Sequence, residues 1–247
     1  MSSFIRFFRF VLALCYAIPL LCLALLCSIC TLQLFATTIW HRTAILMGKG
    51  SLWILGITIQ ETNPSTIATQ KARIFMYNHE SLLDIFWLCA IGPPAFSSVT
   101  KKLFLYIPVI NIVFWASGQI FIDRKNSQRA IESLNKLRTR VLKEKRTVFI
   151  SPEGTRTLDG EILPFKKGGF HMAHQAGLPI YIAAIHGAIQ LMPTGSCAPK
   201  SGTIFIKYLP PIDCSSWTEE TFSVNIEDVR QQIIEGQAEL RKRHPLG

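Results

Sequence analysis

The chain has 247 residues, with 26 Lys or Arg against 16 Asp or Glu, a formal charge of +10. Hydrophobic residues make up 49% and charged residues only 17%, and the mean hydropathy is +0.29; intrinsic disorder is excluded, because a chain this apolar can bury a core. A chain short of charge yet strongly basic points to an anionic membrane surface or an anionic substrate.

No acidic residue precedes Glu61, and the 31 residues from Phe10 to Trp40 carry no Asp, Glu, Lys or Arg. A spanning helix needs about 20 residues, so this stretch is too long for a core helix. It is also longer than the apolar part of a signal peptide, and Ser28–Cys30 or Ala36–Thr37 would make a poor cleavage site. Pro19 interrupts it. Two full crossings need about 40 residues and do not fit, whereas one tilted span or two short helices dipping into one leaflet do. Basic residues at both flanks (Arg6 and Arg9 before; His41, Arg42 and Lys49 after) favour the dipping arrangement, since cations prefer the cytoplasmic side. The expected division is an anchor over 1–48 and one domain over 49–247. Four of the seven cysteines (Cys15, Cys22, Cys27 and Cys30) lie in the apolar stretch; they read as small hydrophobic residues, and Cys27-x-x-Cys30 has no second pair to complete a metal site.

Beyond the anchor, short apolar runs alternate with helical patterns, as in an α/β domain with a mixed central sheet flanked by helices. The expected strands are Leu52–Gln60, Ala72–Tyr77, Ala95–Val99, Gln119–Ile122, Thr147–Ile150, Ile180–Ile185 and Thr203–Tyr208. The expected helices are Leu82–Ala90, Ser127–Lys145, Gly168–Ala176 and Asn225–Arg241, the second and last carrying apolar residues at helical spacing. Lys101-Lys102 opens a run from Leu103 to Trp115 that is apolar apart from Asn111 and too short to span a bilayer. It reads either as buried core or as a membrane-dipping helix with a dibasic lip. Arg124 through Arg146 holds nine Lys or Arg against Glu132 and Glu144, a cationic or merely solvated helix face. No nucleic-acid-binding motif accompanies that charge, so nucleic acid is not expected as a partner.

Five local patterns could carry chemistry. Asn78-His79-Glu80-Ser81-Leu82-Leu83-Asp84 follows an apolar strand and leads into a helix, which sets His79 at a crevice of the sheet. A His, with an unperturbed pKa near 6.5, can serve as a general base if a partner fixes its tautomer. Residues five apart on one helix sit about 140° apart around the axis, so His79 must lie in the loop and Asp84 in the first turn for the two to pair. Ser81-x-x-Asp84 equally fits a capping box that serves only the helix. Pro152-Glu153-Gly154-Thr155-Arg156 is a turn whose backbone N–H groups and Arg156 could bind an oxyanion, or an ordinary polar turn. Arg124 ends an apolar strand, as a surface ion pair would. Lys166-Lys167 precede a helix start, where cations oppose the dipole unless an anion is present. Leu178-Pro179-Ile180 is indistinguishable from a core strand.

Taken together and in this order, the blocks resemble the glycerolipid acyltransferase family. They carry its Asn-His-x-x-x-x-Asp motif at Asn78, His79 and Asp84; its Arg after an apolar strand at Arg124; its Pro-Glu-Gly-Thr-Arg motif at residues 152–156; and its apolar block around a Pro at Pro179. The likeness covers roughly residues 70–210. Ser151 stands where the family often has an aromatic residue.

The resemblance, nearest to bacterial members acting on 1-acyl-glycerol 3-phosphate (lysophosphatidic acid), implies a membrane-bound enzyme. Its site would face the cytoplasm from a bacterial inner membrane. It would transfer an acyl group from acyl-CoA or acyl-carrier protein to the sn-2 hydroxyl, giving phosphatidic acid. His79 would be the base and Asp84 its orienting partner. Arg124 would grip the phosphate, with Glu153, Gly154, Thr155 and Arg156 shaping the acceptor site and Lys101, Lys102 and Lys167 as further phosphate candidates. Neither a metal nor a cofactor beyond the acyl donor is implied. Transfer to glycerol 3-phosphate or another lysophospholipid, lipid binding without catalysis, and hydrolysis by His79-Asp84 with water are the other readings.

Overall fold

The computed structural model describes residues 2–64, 72–101, 106, 110–122, 139 and 141–245. The apolar N-terminus forms two helices rather than one. Helix α1 runs over Ser3–Cys30 and α2 over Ala36–Leu55, joined by a five-residue turn. They lie antiparallel: Arg9 Nε donates to Ile54 O (2.6 Å), and the Tyr16 hydroxyl donates to Leu46 O (3.1 Å). At the turn, Leu32, Leu34 and Phe35 are exposed, as are many apolar side chains along the outer face of α1. The division expected at 48/49 falls inside α2, which runs without a linker from the hairpin into the domain.

The strand expected from Leu52 begins later. Leu52–Leu55 still belong to α2, which stops at Gly56, a left-handed residue (φ 68°) that a side chain would strain. The strands are then β1 (Ile57–Thr62), β2 (Arg73–Tyr77), β3 (Phe96–Lys101), β4 (Ile120–Ile122), β5 (Thr147–Ile150), β6 (Ile180–His186) and β7 (Gly202–Ile212). The helices after α2 are α3 (Asp84–Ile91), α4 (Ile110–Ala116), α5 (Gly168–Ala176), α6 (Ala188–Leu191) and α7 (Phe222–Arg243). Of the expected helix Ser127–Lys145, only residues 139 and 141–145 are described, with Val141 buried.

The sheet has the order β1-β7-β6-β2-β5-β3-β4. Among the described residues only the β6–β7 pair is antiparallel, so the sheet is mixed, as expected. In β2 the side chains alternate between two buried faces. Ile74 and Met76 join α5 and α7 in one core, and Phe75 and Tyr77 join α3 and α2 in the other. Burial on both sides is why the central strands read as unbroken apolar runs.

The hairpin packs directly on this second layer. A Cβ on Gly48 of α2 would stand 2.4 Å from Ala90 N and 2.6 Å from Phe86 O of α3, so these helices approach closer than any side chain allows. Of the Leu103–Trp115 run, residues 106 and 110–115 are described, the last six in α4, and the rest lie outside the described residues. Val113 is buried against Ala24 and Trp40, while Trp115 is 73% exposed. Gly48→Ala should force α2 off α3, an overpacking of about 1–3 kcal/mol; a melting temperature several degrees below the wild type in thermal denaturation is the expected outcome.

Candidate active site

His79 stands in the loop after β2, near the middle of the sheet, and Asp84 is the first residue of α3. The loop is held at both sides of His79. The Asn78 side chain brackets Ile185 of β6, its Nδ2 donating to Ile185 O (3.0 Å) and its Oδ1 accepting from Ile185 N–H (2.7 Å). The His79 N–H donates to Glu153 Oε1 (2.7 Å), and its carbonyl accepts from Thr157 N–H (3.1 Å). The backbone is therefore fixed before the imidazole is considered.

The structure brings His79 and Asp84 together, with Nδ1 2.6 Å from Asp84 Oδ2. Asp84 Oδ2 also accepts the N–H groups of Glu80 (3.1 Å) and Ser81 (3.2 Å), and Oδ1 accepts Trp87 Nε1–H (2.9 Å). Each of these other partners is a donor, so Nδ1 carries the proton toward Asp84. Nε2 makes no hydrogen bond among the described residues and is left with its lone pair free. The capping reading is partly met as well, because Asp84 accepts from Ser81 N–H. Ser81 Oγ in turn accepts from Leu83 N–H (3.3 Å) and donates to Met192 O (2.7 Å).

His79, a quarter exposed, faces a cavity of about 980 Å³. Its walls come from the hairpin (Leu21, Trp40, Met47), from α3 (Leu88) and from α4 (Val113), with Thr155, Arg156 and Leu158 also lining it. It is largely apolar and bounded by the same helices that carry exposed apolar side chains outside. Among the described residues, no three His, Cys, Asp or Glu side chains are grouped to hold a metal ion.

The remaining expected residues divide. Thr155 and Arg156 line the cavity, and the Arg156 guanidinium has no hydrogen bond or ion pair among the described residues. Glu153 is not among the residues that line the cavity. It is buried with both oxygens engaged, on His79 N–H and on Leu163 N–H (2.9 Å), so it positions the His79 backbone. Burial pushes its carboxyl above the usual range, and those two N–H bonds pull it back. Gly154 takes φ +73°, and the stem of Lys166 lies where its Cβ would be, with Nζ at 2.9 Å. Lys167 is not brought to the cavity: it precedes α5 as its N-cap residue, and its ammonium donates to Ser223 Oγ of α7 (2.8 Å). The lysine over the turn is Lys166. Lys101 ends β3, and Lys102 and Arg124 lie outside the described residues.

Other members were not foreseen. Trp87, three residues after Asp84, was findable from the i, i+3 spacing on α3. Arg146, counted in a cationic face, is buried: it donates to Ser97 Oγ (2.9 Å), Phe96 O (2.7 Å) and Ser117 O (3.2 Å), and pairs with Glu144 (2.6 Å). Glu80 gave no signal in sequence. Burial, with Asp84's charge adding to it, pushes its carboxyl up to about 8, against the pull of Ile189 N–H, Gln237 and Arg241.

An acyltransferase family model matches residues 58–186. The chain belongs to the acyltransferase family. A 1-acyl-sn-glycerol-3-phosphate acyltransferase of Saccharomyces cerevisiae is 34% identical over 184 residues, 74% of this chain and 60% of that protein. One of Limnanthes douglasii is 32% identical over 82% of this chain and 70% of its own length. One of Haemophilus influenzae is 28% identical over 85% and 86%. The crystal structure of the 1-acyl-sn-glycerophosphate acyltransferase PlsC from Thermotoga maritima superposes with a TM-score of 0.67 at 26% identity, covering 81% of this chain and 80% of that one. The chain therefore spans three fifths of the yeast relative and most of the bacterial ones. The His and Asp of the expected motif are the bonded pair, His79 and Asp84, and both lie within the matched residues.

The Glu80 carboxyl gives a pH test. Its folded pKa, about 8, exceeds the ordinary 4.5, so between those values the folded state keeps a proton that the unfolded chain has lost. That stability is full below about pH 4.5 and declines as pH rises toward 8. Thermal melts at pH 5 and 8 should show the wild type losing more melting temperature than Glu80→Gln across that interval.

Proposed function

We propose that the protein transfers a fatty acyl group from a thioester, acyl-CoA or acyl-carrier protein, to the sn-2 hydroxyl of 1-acyl-glycerol 3-phosphate, yielding phosphatidic acid. The observation that carries this reading is the imidazole itself. His79 Nδ1 is held by a buried carboxylate at 2.6 Å, and its Nε2 is free at the edge of an apolar cavity. Nε2 takes the hydroxyl proton as the alkoxide oxygen attacks the thioester carbonyl. The C–S bond then breaks, and the imidazolium returns the proton to the leaving thiolate. Asp84 holds the ring and stabilises its protonated form. The relatives named for this reaction lend the substrate class.

The apolar cavity suits a fatty chain, and Arg156 at its edge suits a phosphate, which guanidinium binds bidentately. The hairpin supports membrane association in the same way. Helix α1 is long and apolar enough to cross a membrane, and the exposed Leu32, Leu34 and Phe35 place an apolar tip at its turn. The hairpin also walls the cavity, so the acceptor's chain has a short path from lipid to the base.

His79→Ala and Asp84→Ala should each lower turnover by about 10²–10⁴-fold with the fold intact by circular dichroism. Full activity in both, measured as phosphatidic acid by mass spectrometry, would remove the proposed base. Arg156→Ala should raise the acceptor's KM by about 10–100-fold, the loss of one charged hydrogen-bond partner, while the donor's KM stays put. Free fatty acid formed without acceptor would instead favour hydrolysis.

A further inference from the structure

Between His79 and Asp84 the loop carries a carboxyl that this chemistry does not use. Glu80 is buried, and its N–H is a donor to Asp84 Oδ2. Its Oε2 accepts from Ile189 N–H in α6 (3.2 Å), and its Oε1 accepts from Gln237 Nε2 (2.8 Å). Gln237 is itself buried, on α7 near the far end of the chain. The same nitrogen stands 3.2 Å from Ile185 O and 3.4 Å from Gly160 O.

Those carbonyls belong to the supports of His79. Ile185 is the residue bracketed by the Asn78 side chain, and Gly160 N–H bonds Thr157 Oγ1 (2.9 Å), whose own N–H caps the His79 carbonyl. One amide therefore reaches the residue after His79, the anchor of the residue before it, and the loop that holds its backbone. Arg241, one turn further along α7, also donates to Gly160 O (2.6 Å).

We propose that Glu80 and Gln237 are positioning residues that fasten α7 to the catalytic loop and keep His79 in register with Asp84. This rests on His79 acting as the base. If Glu80 turns, its N–H leaves Asp84, and the carboxylate loses one of the donors that orient it toward the ring. An amide has two hydrogens, and here three acceptors compete for them; Gly160 O also has Arg241 and Ile185 O also has Asn78, so the acceptor that loses its donor when Gln237 is removed is Glu80 Oε1. The charged neighbours of the Glu80 carboxyl are Asp84 at the start of α3 and Arg241 on α7, while α6 presents the neutral Ile189 N–H. Neither Glu80 nor Gln237 lines the cavity. The consequence falls on turnover and leaves substrate binding alone.

The test is steady-state kinetics of wild type, Gln237→Leu, Val229→Ala and His79→Ala with lysophosphatidic acid and whichever acyl thioester the wild type turns over. Gln237→Leu should lower kcat by about tenfold to a hundredfold, the scale of a small misplacement of a reacting group, with both KM values within about twofold of wild type. Val229 is buried on the same helix in the core between α7 and the sheet. Its alanine variant should lose thermal stability with kcat per folded molecule unchanged. A Gln237→Leu enzyme with the kcat of Val229→Ala would overturn the proposal. His79→Ala at full activity would remove the base and this inference with it; an inactive His79→Ala beside a fully active Gln237→Leu would remove the positioning pair alone. Should Gln237→Leu fail to fold, Glu80→Gln serves. It is isosteric but cannot accept both N–H donors, so the same kcat fall is expected, and a wild-type kcat would refute the pair.

Discussion

A carboxylate sealed from water is tolerated only when donors surround it, because leaving a buried polar group unmatched costs about 1–3 kcal/mol. Asp84 is 1% exposed, and the loop before it is arranged to meet that demand. Two backbone N–H groups, an indole N–H and the imidazole N–H converge on its two oxygens. The same arrangement decides the state of His79. With donors filling the other positions, the ring presents its N–H to Asp84 and its lone pair to the cavity. Stability and chemistry thus share one set of hydrogen bonds.

The position of that carboxylate depends in turn on the sheet. β2 lies between β5 and β6 with both faces buried, so the strand's end cannot shift without moving two cores. Asn78 then ties the loop to β6, and Glu153 and Thr157 tie it to the turn after β5. The turn is clamped from outside by α7: Arg230 donates to Ile162 O and Leu163 O, and Arg241 to Gly160 O. The cavity's remaining wall is the hairpin, seated on α3 through the close approach at Gly48. The layered sheet and the apolar hairpin therefore line one cavity.

Much of this was legible in sequence because local physics governs it. β5 and α5 have the expected bounds, since an apolar run between turn signals and a 3.6-residue pattern ending at Gly177 leave few alternatives. The need for His79 in a loop and Asp84 in a first turn followed from helix geometry alone. Where two local forces balanced, sequence misled. Leu52–Leu55 are as apolar as a strand, but the helix continues until Gly56 releases it. Lys166 and Lys167 are equivalent by composition, yet the chain's direction after the turn lays one across Gly154 and sends the other to α7.

The sequence by itself determined the class of fold, the apolar N-terminal segment, and the His79-Asp84 motif at its required spacing. These depend on periodicity, residue type and distances of a few residues along the chain. Tertiary structure alone decided what Glu153, Arg146, Glu80 and Gln237 do. Glu153 accepts from the His79 backbone, Arg146 is a buried tie rather than surface charge, and Glu80 meets Gln237 across 157 residues. A polar side chain's role is set by which donors and acceptors lie within about 3 Å of it, and for these residues many of those partners come from distant parts of the chain.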